Sequence, residues 1–429
     1  LLENGTVKLH QALIPTLAMA LLAGSVPHYV SAQATKKEAA SLALEWNQFR
    51  GPNRDGISPD TGLLKEWPAG GPPQVWKATG IGSGYSSVCV VGTKLFTMGE
   101  SSGKTHLFAL NVADGKILWQ LDVGKEGNPG NQGAGPRSTP ASDGTFVFAM
   151  SQGGEILCVQ AATGKPVWTK SMSEWGGNEP GWGWSESPLL DGGQVLFSPG
   201  SSRASVISLN KMNGTPVWQA KVKGGAQYTS LAIAEIAKVR QYLYFNMDSI
   251  SGIDSRTGAT LWTADRKGQT AICSTPAYKD GIVFVSSGYG VGHNAFKIAG
   301  GGGKFQASEL YSGKEMANHH GGFVILGDHV YGTNESALMC MELKTGKVAW
   351  QDRCVGKGSV ISADGCLIVR GQDGGVALVE ANPAAFKEKG RISLTKGGGN
   401  GAWANPVVAG GKLYIRDWET LICYDIKAK

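Results

Sequence analysis

Short runs of alternating apolar and polar residues, each closed by a glycine, recur along most of this chain. Runs such as HLFALN (106–111) and MCMEL (339–343) have the period of two expected of half-buried strands. The Gly dipeptides that follow supply the positive φ of a tight turn. Behind the turn a second strand carries a tryptophan four residues after the glycine. The pairs are Gly115 and Trp119, Gly164 and Trp168, Gly214 and Trp218, Gly258 and Trp262, and Gly346 and Trp350. Successive tryptophans lie 49, 50, 44 and 88 residues apart, and the last interval is two periods with one blurred copy between. A repeat of about 40 to 50 residues built from strands predicts a propeller of four-stranded blades.

A second set of glycine turns counts the blades. Gly92, Gly144, Gly192, Gly281, Gly327, Gly365 and Gly410 each precede an apolar strand, and an eighth unit over 226–264 has the strands without the glycine. Eight units fill about 84–427. The last has no tryptophan strand, whereas Trp76 stands alone before the first, so the early strand is expected to complete the final blade and remove an open sheet edge. Trp76, Trp119, Trp168, Trp218, Trp262 and Trp350 are then wedges between neighbouring sheets. A polar residue four before each glycine (Asn111, Gln160, Asn210, Asp254 or Glu342) is placed to accept from turn amides. The expected fold class is all-β: an eight-bladed β-propeller of four-stranded antiparallel blades closed by an N-terminal strand. The expected organisation is a signal peptide over 1–34, an N-terminal strap over 35–73 and the propeller over 74–429.

The leader reading rests on Lys8 and His10 before an apolar stretch at 12–24, with small residues permitting cleavage after Ala32 or Ala34. That stretch is too short to span a membrane in the mature chain, so a periplasmic or secreted monomer is expected. Gly at 63 of 429 residues suits a turn-rich body, and the net charge of +6 comes with no long Lys/Arg run, which argues against nucleic acid as a partner. Seven cysteines without a C-x-x-C pair do not form a disulfide framework; Cys158, Cys340 and Cys423 occupy matching strand contexts and read as core fillers.

Candidate chemistry falls on the blade-to-blade crossings, on the face opposite both families of glycine turns. The crossings over 124–137 and 172–186 mix glycine, aromatic and charged residues. Each leads into an innermost strand beside the axis, and four approaches share a proline: Pro140, Pro188, Pro276 and Pro406. Three residues before that place stand Tyr85, Arg137, Ser185, Tyr228, Cys273, His320, Gly358 and Trp403, with Trp184, Glu186, His319 and Lys357 as neighbours. These predict either a channel-mouth pocket, with Arg137 and Lys357 for an anion and aromatics for stacking, or a solvated polar plug in the funnel. Adjacent His319 and His320 would face opposite ways on a strand and could not chelate one metal alone. Trp175, Trp182 and Trp184 look exposed enough to suggest a sugar- or polymer-binding module. No H-E-x-x-H, nucleophile elbow, phosphate loop or EF-hand loop is present.

The repeated Gly-to-Trp units, WNQFRGPNRDG (46–56) and GPRSTP (135–140) resemble the pyrroloquinoline-quinone (PQQ)-like eight-bladed propeller family, in the form common among planctomycetes and related bacteria. The resemblance covers 46–429 and implies the fold more than an activity. One branch, the quinoprotein dehydrogenases, implies PQQ and calcium held by vicinal cysteines and carboxylates. This sequence lacks the vicinal pair, and Glu186 is the sole carboxylate in the approach segments. The other branch, the barrel-assembly propeller lipoproteins, implies a docking scaffold without a cofactor, although Ser25 stands where lipidation needs cysteine. The sequence therefore predicts an exported, non-catalytic scaffold that docks an envelope protein or binds a small ligand, with a quinone-dependent oxidoreductase as the alternative.

Overall fold

In a computed structural model covering residues 46–126 and 133–429, eight four-stranded antiparallel sheets form a propeller ring. The leader at 1–34 and the first part of the strap lie outside the described residues. Blades 1 to 7 occupy 89–125, 141–171, 189–220, 232–265, 277–313, 323–352 and 358–392. Blade 8 takes three strands from 407–425 and its outermost from Gln74–Ala78, which pairs antiparallel with Thr420–Asp425. The ring is thus closed by an early strand, as the unpaired Trp76 implies. Among the described residues no helix is long and apolar enough to cross a membrane.

The tryptophans are wedges, and the glycine of each unit answers to the tryptophan of the blade before it. Indole Nε1 of Trp76, Trp119, Trp168, Trp218 and Trp350 donates to a carbonyl of the next blade: Val112 at 2.9 Å, Ala161 at 3.2 Å, Lys211 at 3.0 Å, Ser255 at 3.2 Å and Asn382 at 2.8 Å. A Cβ at Gly115, Gly164, Gly214 or Gly258 would come within 2.5–2.8 Å of the rings of Trp76, Trp119, Trp168 and Trp218. The turn therefore needs glycine twice over, for its φ near +70° and for the ring lying on it. Tyr311 is the blurred copy: its hydroxyl donates to Leu343 O at 2.6 Å and its ring lies on Gly346. Trp262 departs from the pattern. It faces the long hairpin of blade 5, Gly292–Gly301 and Lys304–Gly313, which offers no such turn, and its Nε1 bonds Gln241 Oε1 of its own blade at 2.8 Å.

Two further turn readings resolve in detail. Asn111, Asn210 and Asp254 accept from turn amides, whereas the longer Gln160 and Glu342 side chains overreach and take a threonine hydroxyl instead. In blade 4 the missing glycine is replaced by Ala237 and Lys238, both left-handed at φ 49° and 64°. The four prolines stand immediately before the innermost strands rather than within them.

The strap does more than carry the chain to blade 8. Residues 46–58 lie in the axial channel and bond to the innermost strand, or the residues just before it, of every blade except blade 5. Val90 and Ser142 amides donate to the carbonyls of Trp46 and Asn47, and Leu190 N donates to Gln48 Oε1. Arg54 donates to the carbonyls of Ser187, Pro188 and Leu231, and Arg50 to that of Phe323. Ser362 N donates to Gly56 O, Ile57–Ser58 pairs parallel with blade 7, and Ser58 Oγ reaches Val408 O. Arg50 and Arg54 are themselves left-handed (φ 63° and 58°), a strained backbone held by these contacts. The segment leaves at the hairpin face, where Asp60 accepts from Gly411 N and Asp364 from Leu63 N.

Candidate functional site

With the hairpin end filled by the strap, the crossing end of the channel is a blind cup with Phe49 among its lining residues. It encloses about 860 Å³ of atom-free space counted to its open mouth. Seven of the eight equivalent side chains converge there: Tyr85, Arg137, Ser185, Tyr228, Cys273, His320 and Trp403. Two residues further along five of these approaches, the same side of the chain presents an inner tier of Ser87, Thr139, Ser187, Ser230 and Asn405.

Aromatic rings run round half the mouth. Arg137 lies over Tyr85 at 5.1 Å, Tyr85 stacks on Trp403 at 4.6 Å, and the line continues through His320 at 5.6 Å, His319 at 5.3 Å and Tyr289 at 4.5 Å. On the other side Trp182 stacks on Tyr228 at 5.3 Å. Gln372 of blade 7 orients two of these rings, its Oε1 accepting from Trp403 Nε1 at 3.3 Å and His320 Nε2 at 3.1 Å. Arg137 is held by the carbonyls of Gly133 and Gly135.

Several expectations need correction. Trp184 and Glu186 do not reach the cup: on an extended segment they alternate with Ser185 and Ser187 and point into the packing of blades 2 to 4. Trp175 is buried as well, so no trio of exposed tryptophans forms a sugar platform. At the blade 7 position Gly358 contributes no side chain, and Lys357 turns into a neighbouring groove to pair with Glu335 at 2.7 Å. His319 and His320 both line the cup, because the chain bends there instead of running as a strand. Sequence reasoning missed Phe49, which comes from the strap, and Tyr289 and Gln372, which come from the turns between the second and third strands of blades 5 and 7.

Burial sets the protonation of the site. His320 is pushed down to about 3 by burial, with His319 adding to the shift, and His319 is lowered by burial and Lys357, so both imidazoles are neutral at pH 7. Burial pushes the Cys273 thiol up to about 12 and raises the phenols of Tyr85 and Tyr228. Behind the wall, burial pushes Glu186 up to about 7 against the pull of Ser198 and Arg54. A carboxyl with a folded value above its unfolded one binds more protons folded, so stability falls as pH rises from about 4.5 through 7. Relative to Glu186→Gln, the wild type is expected to lose up to roughly 1.4 kcal/mol per pH unit across that window, read by urea unfolding. A constant difference between the two proteins from pH 5 to 8 would show that Glu186 titrates normally.

Comparison with known proteins fits this architecture. The profile of the family described as outer membrane protein assembly factor BamB matches residues 103–352, more than half of the chain. Tetrathionate hydrolase of Acidithiobacillus ferrooxidans is 24% identical over 75% of this chain and 56% of its own length. BamB of Escherichia coli is 35% identical over 20% of this chain and 22% of its own. The matched stretch thus spans about half the length of the first relative and less of the second. Quinohemoprotein alcohol dehydrogenase from Comamonas testosteroni superposes with a TM-score of 0.66 at 12% identity, covering 94% of this chain and 83% of that one, a likeness of fold alone.

Proposed function

Because this chain belongs to the PQQ-like propeller family, whose profile carries the BamB description, we propose that it is an exported binding propeller of the cell envelope whose axial cup holds a small ligand. The observation that carries this reading is the convergence of seven equivalent side chains on one blind, aromatic-walled cup. Relatives named for assembly work and for hydrolysis both match this chain, so the likeness does not assign a role and the lining must. The lining combines stacking rings, a single guanidinium and neutral hydrogen-bonding groups. Among the described residues it has no carboxylate, and the Cys273 thiol is held protonated. Those are the means to bind and orient; the two imidazoles that line the cup, His319 and His320, are bases weakened by burial.

A calcium-held quinone does not fit this donor set. A calcium ion needs several oxygen ligands with carboxylates among them; Glu186 is bound to Ser198 behind the wall, and Glu335 pairs with Lys357 beside the cup. Among the described residues Cys273 is the one cysteine in the lining.

The test is to identify a bound small molecule by native mass spectrometry of protein from the envelope fraction and to titrate it back. The double variant Arg137→Ala, Trp403→Ala removes the guanidinium and one wall and is expected to lose at least about a hundredfold in affinity. Retained affinity in that variant would dismiss the cup as the binding site.

A further inference from the structure

The inner tier of the cup has a built-in polarity. The backbone N–H of Ser87 donates to Thr139 Oγ1 at 3.2 Å, that of Thr139 to Ser187 Oγ at 2.9 Å, and that of Ser187 to Ser230 Oγ at 3.0 Å. Each hydroxyl oxygen is therefore occupied from the side of the preceding blade. Among the described residues none of the three hydroxyls donates to a protein acceptor, although all three are at least 95% buried and line the cup. A hydroxyl whose oxygen already accepts on its backbone side turns its hydrogen away from that N–H, here toward the cup. Ser87 is the contrast: its own hydroxyl is consumed by Asn405 O at 2.6 Å.

Three donors on adjacent blades thus lie along one arc of the floor. Arg137 stands two residues before Thr139 on the same side of the chain, in the mouth tier. Among the described residues no carboxylate lines the cup, Glu100 acting on Arg137 from outside it, and the two histidines beside it are neutral. A buried O–H without an acceptor is costly, and the acceptor that relieves three of them beside a guanidinium is an anionic oxygen group. We infer that the floor formed by Thr139, Ser187 and Ser230, with Arg137 in the tier above, is an oxyanion cradle, and that the ligand carries a sulfonate- or carboxylate-type head on an apolar or flat body. The head sits on the arc of blades 2 to 4. The body lies against Tyr85, Trp403 and Tyr289, on the aromatic arc. A cation is repelled by the same set, so an aromatic cage for a quaternary ammonium is not what these rings form.

This inference rests on the cup being a binding site, and its test keeps the two apart. Benzenesulfonate and its neutral isostere benzenesulfonamide are titrated into the full chain, followed by calorimetry and tryptophan fluorescence. The sulfonate is expected to bind at least about tenfold more tightly, and Thr139→Val and Ser187→Ala are each expected to weaken it about five- to tenfold while changing the sulfonamide less than about twofold. Equal affinities for the two probes, abolished together by the Arg137→Ala, Trp403→Ala double variant, would overturn the cradle and leave the cup standing as a binding site. Binding of neither probe would overturn both readings. Ser187→Ala and Thr139→Val also remove an acceptor between blades; should either fail to fold, the ratio of the two probes on the wild-type protein decides alone.

Discussion

Deleting Gln74–Ala78 is expected to abolish cooperative unfolding of the whole ring, not merely to loosen one blade. The strand pairs Trp76 with Cys423, Lys77 with Ile422 and Ala78 with Leu421, so its loss leaves Thr420–Asp425 as a bare edge. It also removes the seam between the last and first blades, because Trp76 bonds Val112 O and covers Gly115 of blade 1. Truncating a buried indole alone typically costs about 3–5 kcal/mol, and a whole domain holds only about 5–15 kcal/mol. Trp76→Ala should therefore lower the urea midpoint substantially, and the deletion should lower it further or leave no folded baseline. An unchanged midpoint for the deletion would mean that the ring does not depend on this strand.

That closure was legible because the repeat is arithmetic: seven glycine turns, five tryptophan strands and one orphan tryptophan leave little freedom in how blades can be assembled. The mouth of the cup was legible for the same reason. The innermost strand begins at a fixed place in each unit, so counting back three residues from the proline position selects the side chains that face the axis. The errors came from neighbours. Trp184, Glu186 and Lys357 are sequence neighbours of cup positions, and the alternation of an extended chain sends adjacent side chains to opposite sides. His319 and His320 failed in the other direction, since a bend breaks the alternation assumed for a strand. The strap was silent for a deeper physical reason. WNQFRGPNRDG has no apolar periodicity, and its bonds go to backbone carbonyls and amides of six blades, which no sequence pattern displays.

Within that strap, Arg54→Ala is expected to be the most damaging single substitution at the axis. Arg54 is almost wholly buried and donates to Leu231 O at 2.7 Å, Pro188 O at 2.8 Å, Ser187 O at 3.2 Å and Gln48 Oε1 at 3.3 Å. Burial pulls its guanidinium down to about 9, with Glu186 opposing, so the cation remains charged at pH 7 and is paid for by these acceptors. Alanine would leave three carbonyls unsatisfied and Glu186 without its facing cation, a change that typically costs about 3–5 kcal/mol. Arg54→Lys should recover only part of this, since one ammonium cannot reach acceptors spread across a planar fork. The effect should also reach the cup. Ser187 offers its carbonyl to Arg54 and its hydroxyl to the cradle, so removing the arginine frees the segment that positions one of the three floor donors. Arg54→Ala is thus expected to lower the urea midpoint and, in the protein that remains folded, to weaken benzenesulfonate binding more than benzenesulfonamide binding. If the substitution left both stability and that ratio unchanged, the strap would be a passive filler of the channel and not the support of its floor.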